Sequence, residues 1–351
     1  MSKQKSDMLF WGELVPNTLT GVSIASTSIL KILAEKNYTI VRVEEKLWNK
    51  GKAGKLFSYL GDCYRLIITS VKFRFRYFYF MLPASKLSLC KSFFLLPVLK
   101  LIQPSMIFTA HVHRGDIKDF YNQSSFNKFL LNIILKFTDK IIALSPAFEE
   151  QVQEIGFNKR TEVLRNTCFF EEFKFAAKGQ YIQNFICLTN YIRTKGLIEL
   201  ATCFSGKEML DMKLDIYGSR FEQNTFNEIS KIISSNTHTH EALSREKLPE
   251  TLVKYDALIL ASWNEGQPTV IIEAMALGIP VIVSDVGDVR NMVGEDYPFI
   301  FPAKNMEQMK MKITEFHNYA DKAGISNLLK ERYYRFFSNE IYKKEIARIF
   351  Q

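Results

Sequence analysis

One stretch in the second half of the chain restricts the fold more than any other, because it indicates a strand, a loop, a helix and a strand in immediate succession. The stretch is Ser262–Asp288, SWNEGQPTVIIEAMALGIPVIVSDVGD. The apolar run Ala257–Ala261 before it is typical of a buried parallel strand. Pro268 suits the first turn of a helix, Gly278 suits its end, and Pro280–Ser284 is the next strand. This order predicts an α/β domain with a parallel sheet.

The same stretch contains two carboxylates in notable positions. Glu265 lies on the loop at the carboxyl end of a strand, where open α/β sheets bind ligands. Glu273 lies about one and a half turns into the helix among apolar residues, where carboxylates are uncommon unless they are paired. The N–H groups of Gly266–Thr269 carry partial positive charge and suit a phosphate. From these residues alone, an ordinary strand–helix unit with a surface glutamate remains the simpler interpretation.

The segment EGQPTVIIEAMALGIPVI resembles the E-x7-E signature of retaining glycosyltransferases of family 4, in group 1. That family has the GT-B fold, in which two Rossmann-like doubly wound domains face an interdomain cleft. The resemblance implies that Glu265 contacts the donor sugar and that Glu273 holds the ribose hydroxyls of the nucleotide. It also implies that the diphosphate binds at Gly266, Gln267, Pro268 and Thr269.

Other positions match the same family. Lys195, followed by glycine after the strand Asn184–Thr189, matches a lysine that pairs with the donor diphosphate; a surface lysine at a helix start is the alternative interpretation. The family arginine five residues earlier is Asn190 here, and Arg193 is the candidate for the missing guanidinium. The predicted donor-binding set is Gly21, Asn190, Arg193, Lys195, Gly218, Gly266, Gln267, Pro268, Thr269 and Glu273.

The segment TAHVHRGD follows a predicted strand, Ser105–Ala110, and resembles the place where the family has a histidine facing the donor sugar. His111 is favoured because it follows the strand directly, and His113 stays open. Alternation along a strand places both rings on one face, which also suits a metal ion, but no third ligand is obvious. A strand-end histidine bonded to a loop carbonyl is the structural alternative. We therefore predict His111 and Glu265 as catalytic residues and no metal site.

The domain organisation follows from the order of strands and helices. The first strand, loop, helix and strand open a doubly wound domain, and the absence of G-x-G-x-x-G argues against a dinucleotide dehydrogenase. We predict an acceptor-binding domain over 1–170, a linker within 167–183 and a donor-binding domain over 184–338. By the resemblance, the helix in 339–351 returns to the first domain.

The charge distribution predicts a partner. The formal net charge is +9, and no acidic residue lies between Asp62 and Asp116 in a segment rich in aromatic residues, lysine and arginine. Such a segment can lie on anionic lipid. Ordinary helices with solvated lysines are the alternative, and no RRM, KH or helix-turn-helix pattern supports nucleic acid. The glycine- and lysine-rich residues 51–61 before it are predicted to be an exposed loop.

The resemblance implies a hexosyltransferase without a cofactor. No metal ion is expected, because Lys195, Arg193, the loop amides and the helix dipole can stabilise the leaving diphosphate. The absence of a D-x-D motif is consistent with this expectation. The donor would be a UDP- or GDP-linked sugar, and the acceptor a saccharide, lipid-linked, in surface polysaccharide or glycan biosynthesis. A nucleotide-sugar epimerase of the same fold and a non-catalytic nucleotide-sugar-binding protein stay open as alternatives. Scattered cysteines and the lack of a signal-peptide core or spanning segment predict a cytoplasmic protein, peripheral at the inner face of the cell membrane.

Overall fold

The computed structural model describes residues 4–17, 20–45, 52–83, 85–168 and 183–351; for residues 52–57 it describes the backbone alone. The chain divides into a first unit, Met1–Arg165 with Lys343–Gln351, and a second unit, Asn166–Tyr342. Most of the predicted linker lies outside the described residues. Each unit has a parallel sheet of six strands in its described part, with helices as the connections.

The first unit has the strand order β2-β1-β3-β4-β5-β6. Its elements before the second unit are β1 (Gln4–Gly12), α1 (Gly21–Glu35), β2 (Ile40–Glu44), α2 (Lys52–Lys72), β3 (Phe73–Met81), α3 (Lys86–Ile102), β4 (Ile107–Val112), α4 (Ile117–Asn122), α5 (Ser125–Phe137), β5 (Lys140–Ala143), α6 (Pro146–Glu154) and β6 (Arg160–Val163).

The prediction of a loop over residues 51–61 is wrong, because α2 begins at Lys52. Glycine lowers helix propensity, and Gly54 and Gly61 suggested a break. The helix forms nevertheless, because Leu66 enters the core of the unit and Cys63 packs against that core. Tertiary packing of an apolar side therefore outweighs the local cost of two glycines.

The second unit has the strand order β12-β11-β10-β7-β8-β9. Its elements, with the closing helix α14 that runs into the first unit, are β7 (Asn184–Leu188), α7 (Leu197–Phe204), β8 (Lys213–Tyr217), α8 (Gln223–Ile232), β9 (Thr237–His240), α9 (Leu248–Leu252), β10 (Ala257–Leu260), α10 (Thr269–Leu277), β11 (Val281–Asp285), α11 (Val289–Val293), β12 (Ile300–Pro302), α12 (Met306–Asn318), α13 (Lys322–Phe336) and α14 (Asn339–Ile349). The predicted strand, helix and strand around Pro268 are confirmed to within about one residue.

Strand β3 organises the core of the first unit because it is buried on both faces of the sheet. On one face, the Phe78 ring lies 5.1 Å from that of Phe80 and 5.2 Å from that of Phe108. Helices α2, α3 and α5 supply the leucines and isoleucine that complete this core. On the other face, the Tyr77 ring meets Phe350 edge-on at 5.6 Å, so the residues after α14 pack against the same strand.

Helix α2 passes directly into β3 without a loop, and the buried side chain of Gln103 binds the backbone at this junction. Its Nε2 donates to the carbonyls of Ser70 and Phe73, each at 2.8 Å, and its Oε1 accepts from Phe75 N–H at 2.9 Å. One amide thus serves three backbone groups that precede Tyr77, the first residue of β3 paired with β4.

Replacing Gln103 with leucine removes all three hydrogen bonds while approximately preserving volume. We expect the free energy of unfolding to fall by about 1–3 kcal/mol, the usual cost of leaving a buried polar group unpaired. Urea denaturation measures the loss. Gln223→Leu on the exposed start of α8 is the control, with an expected change within about 0.5 kcal/mol. Equal losses of unfolding free energy in the two variants would contradict the structural role given to Gln103.

Candidate functional site

The candidate site of the second unit lies where its strand order reverses. After β7 the chain proceeds to β8 and β9 on one side, and β10 then pairs with β7 on the other side. Loops that leave neighbouring strands in opposite directions form a crevice at the carboxyl edge of the sheet, which is where such folds bind ligands. The loops after β7 and β10 contain Lys195 and Glu265.

The two loops are joined by an ion pair. Lys195 Nζ lies 2.7 Å from Glu265 Oε1, and Ser262 Oγ donates to the same oxygen at 2.7 Å. A backbone bond from Trp263 N–H to Thr194 O, 2.9 Å, runs beside them. The structure thus brings together a lysine and a glutamate that are 70 positions apart in sequence.

The loop after Glu265 leads into the N-terminus of α10. Pro268 is the N-cap residue and Thr269 the first helical residue, and no side chain caps this end. Gly266 O accepts from Asp288 N–H at 3.0 Å. At Gly287, which has φ +56°, a Cβ would lie 2.1 Å from Glu265 O, so only glycine lets the β11 loop pack on this backbone.

Gln267 binds inside the unit through its side chain. Its Nε2 donates to Asp288 Oδ2 at 2.7 Å, and its Oε1 accepts from Asn166 N–H at 2.5 Å. Asn166 Nδ2 in turn donates to Gln267 O at 2.9 Å. The donor contact that the resemblance implies for Gln267 concerns its main-chain amide, whereas its side chain holds the loop. Asp288 was not predicted as a site residue; its signal was only its position after the strand exit.

Glu273 is buried on α10, with a side chain that is 3% exposed. Arg245 Nη2, from the loop between β9 and α9, lies 3.3 Å from its Oε1. Burial raises the pKa of Glu273 from 4.5 to about 7, and the Arg245 guanidinium lowers it in part. Arg245 belongs to no recognised sequence motif, so its position beside Glu273 was not predicted.

Asn190 and Gly218 join the ends of β7 and β8. Asn190 Oδ1 accepts from Ser219 N–H at 3.1 Å. A Cβ on Gly218 would lie 2.0 Å from Thr189 O, so the two loops pack backbone to backbone at this point. The residue that replaces the family arginine therefore stabilises the loop beside Gly218.

Arg193 is already paired within the second unit. Its guanidinium binds both oxygens of Glu199, at 2.8 and 2.5 Å, and lies 4.4 Å from the ring of Trp263. Binding a diphosphate would require it to exchange Glu199 for phosphate oxygens. Its predicted role in place of the missing arginine stays a prediction.

In the first unit, His111 and His113 lie side by side, with ring centroids 4.0 Å apart. His111 lies inside β4, one residue beyond the strand end predicted from sequence, and its Nδ1 shares a hydrogen bond of 2.5 Å with the Tyr79 hydroxyl. Burial lowers the pKa of His113 to about 4 and that of His111 well below its usual value. Among the described residues, neither Nε2 has a partner. Burial therefore favours the neutral form of both rings.

Gly21 begins α1 and follows the N-cap Thr20, which forms a capping box with Ser23. A Cβ on Gly21 would meet no atom within 4 Å. Thr18 and Leu19, in the loop that resembles the family, lie outside the described residues.

Two further properties concern the described residues as a set. They contain no group of three or more histidine, cysteine, aspartate or glutamate side chains that could hold a metal ion. None of the helices in that part of the chain has both the length and the apolar character required to cross a bilayer.

Replacing Glu273 with glutamine tests the buried carboxyl group. Because folding raises its pKa from 4.5 to about 7, the folded chain holds a proton that the unfolded chain loses between those values. In the absence of ligand, the free energy of unfolding should thus fall as pH rises through this interval, by at most about 1.4 kcal/mol per pH unit. Urea denaturation across this range should show a shallower decline for Glu273→Gln than for wild type. The exposed control Glu250→Gln should follow wild type; parallel curves for all three would refute the raised pKa.

Comparison with known proteins points to one family. Residues 171–323 match the sequence profile of the family described as glycosyl transferases group 1. TuaC of Bacillus subtilis (strain 168), named as a glycosyltransferase of teichuronic acid biosynthesis, is 28% identical over 127 residues, which are 36% of this chain. The chain covers 31% of the length of that relative.

Solved structures match over nearly the whole chain. Sucrose-phosphate synthase from Thermosynechococcus elongatus superposes with a TM-score of 0.80 at 14% identity, covering 98% of both chains. Anabaena HepE, in complex with UDP and glucose, gives a TM-score of 0.73 at 14% identity, covering 98% of this chain and 99% of that one. These likenesses confirm the GT-B class of two Rossmann-like units, and the profile confirms the group 1 resemblance. Family 4 in particular stays a prediction.

Proposed function

We propose that this chain, whose second unit matches group 1 glycosyltransferases, transfers a sugar from a nucleotide-diphosphate sugar to a saccharide with retention of anomeric configuration. The observation that carries the proposal is the Lys195–Glu265 ion pair beside the uncapped N-terminus of α10. It lies at the strand-order reversal, within the segment that the family profile matches.

The chemistry requires a place for the charge that develops on the leaving diphosphate. Lys195 supplies a point charge, and the first N–H groups of α10 supply the positive end of a helix dipole. Fixed donors of this kind stabilise a leaving group without a metal ion. In the absence of donor, Glu265 holds the Lys195 ammonium in position; with donor bound, phosphate oxygens take over this contact and Glu265 turns to the sugar hydroxyls.

The nucleotide is held by the buried carboxyl of Glu273. As a carboxylate, Glu273 accepts hydrogen bonds from two ribose hydroxyls. The Arg245 guanidinium beside it favours this charged form. The complex of Anabaena HepE with UDP supports a uridine nucleotide as the first donor to test. His111, a neutral hydrogen-bonding group of the first unit, is proposed to contact the sugar.

The acceptor is proposed to be a lipid-linked saccharide at the inner face of the cell membrane, in the synthesis of a surface polysaccharide. The likeness to TuaC supports the polysaccharide, and the acid-free basic segment of the first unit supports an anionic membrane as partner. Hexosyl transfer without a metal ion belongs to the same proposal.

Donor binding is tested by calorimetry with UDP- and GDP-sugars. We expect binding of at least one, weakened tenfold or more by Lys195→Ala, because a charge-assisted contact to phosphate is lost. Glu273→Ala should weaken binding to a similar degree. The controls are Lys213→Ala, at the amino end of β8 and thus at the opposite edge of the sheet, and the exposed Glu250→Ala. The site would be refuted if only the control variants lost donor binding, or if the wild-type chain bound no nucleotide sugar.

The dependence of turnover on an acceptor distinguishes sugar transfer from epimerisation and from simple nucleotide-sugar binding. We expect nucleotide release from the donor to rise strongly when a saccharide acceptor is added, because the acceptor hydroxyl completes the displacement. The measurement is coupled nucleotide release, with the anomeric configuration of the product read by proton NMR. Interconversion of the free donor without acceptor would indicate an epimerase, and binding without any turnover a binding protein; either result would contradict transfer.

A further inference from the structure

We propose that the outer sides of α2, α3 and α5 form one docking surface for an anionic lipid bilayer. The inference rests on the proposed function in one respect: it names the surface by which an enzyme with a lipid-borne acceptor would contact the bilayer. We call the surface the helix face, and its apolar members are Leu60, Tyr64, Val71, Leu87, Phe94, Val98, Leu101, Phe126 and Phe129.

Helix α3 has the clearest apolar exposure. Leu87, Phe94, Val98 and Leu101 recur at spacings of helical period, and Phe94 is 70% and Leu101 81% exposed. A helix on the surface of a globular protein ordinarily presents charged residues on its outer side. Here the outer side presents apolar residues over four turns.

Two of the three lysines of α3, Lys91 and Lys100, do not change this character; the third, Lys86, is the exposed first residue of the helix. Lys91 is buried, 2.5 Å from Glu45 Oε1 and 4.4 Å from the ring of Trp11. Lys100 Nζ is directed to Met106 O at 2.8 Å and Asp139 Oδ2 at 2.6 Å. Lys91 and Lys100 are thus both paired within the first unit.

The apolar surface continues on the neighbouring helices. The Phe93 ring lies 5.0 Å from Phe94 and 6.0 Å from Phe129 of α5, so aromatic contact passes from one helix to the next. On α2, Leu60, Tyr64 and Val71 follow the same helical spacing and are all exposed. Single exposed apolar residues are ordinary, whereas a row across three packed helices indicates an interaction site.

The charge on the helix face has one sign. By sequence, α2, α3 and α5 contain a single carboxylate, Asp62, which is 1% exposed and paired with Arg65. Exposed cations accompany the apolar residues on these helices: Arg65, Lys72, Lys86, Lys128 and Lys136. An apolar surface among exposed cations matches a bilayer with acyl chains below anionic headgroups.

The same charge argues against a second copy of this chain as the occupant. A symmetric dimer through the helix face would bring the same patch of each copy together, and with it two sets of cations. Like charges at such a distance oppose association, whereas phosphate headgroups neutralise them. The observations therefore favour a lipid surface.

The test is co-sedimentation of the full chain with vesicles. One preparation is phosphatidylcholine with about 30 mol% phosphatidylglycerol, which supplies the anionic surface, and the other is phosphatidylcholine alone. We expect binding to the anionic vesicles, weaker binding to the neutral ones, and a tenfold or greater loss with the double variant Phe94→Glu, Leu101→Glu. The matched control is Leu210→Glu, Met311→Glu, two exposed apolar residues of the second unit, and it should bind like wild type.

Several outcomes would overturn the proposal. These are no binding by wild type, equal binding to both vesicle types, and equal loss in the helix-face and control variants. A concentration-dependent dimer abolished by Phe94→Glu, Leu101→Glu would assign the face to self-association instead. Calorimetry with the nucleotide sugar on the same variants separates the two proposals, because the helix face contains no donor-binding residue. Intact donor binding with no vesicle binding refutes the docking surface alone.

Discussion

The reversal of strand order between β7 and β10 is the constraint on which the candidate site depends. Because the chain leaves these neighbouring strands in opposite directions, their loops leave a crevice, and a side-chain connection joins them beside the backbone bond from Trp263 N–H to Thr194 O. Lys195 and Glu265 provide that connection. In the proposed function, a diphosphate, which carries more negative charge than a carboxylate, replaces Glu265 as the partner of Lys195.

Other residues hold this arrangement without belonging to the family signature. Gln267 joins the loop before α10 to Asp288 and Asn166, and glycine at 287 lets the next loop pack on it. Arg245 approaches the buried Glu273 from a different strand exit. Contacts between loops thus hold the backbone around the signature, while the signature itself supplies the groups that would contact the donor.

Much of this could be predicted from the sequence, because local signals determine it. Proline, glycine and apolar runs located β10, α10 and β11, and the family resemblance named Lys195 and Glu265, which the fold places together. Arg245, Ser262 and Tyr79 could not be predicted, since their importance arises only when strands distant in sequence become neighbours. The first half of α2 was missed for a related reason. Its glycines are a local signal against a helix, whereas the core contact of Leu66 arises only in the folded chain.

The most direct test of the central claim is a crystal structure of the chain with a nucleotide diphosphate. The account predicts the terminal phosphate at the N-terminus of α10, with Lys195 Nζ within hydrogen-bond distance of it and the ribose hydroxyls at Glu273. A nucleotide bound away from α10, with the Lys195–Glu265 pair unchanged, would contradict it.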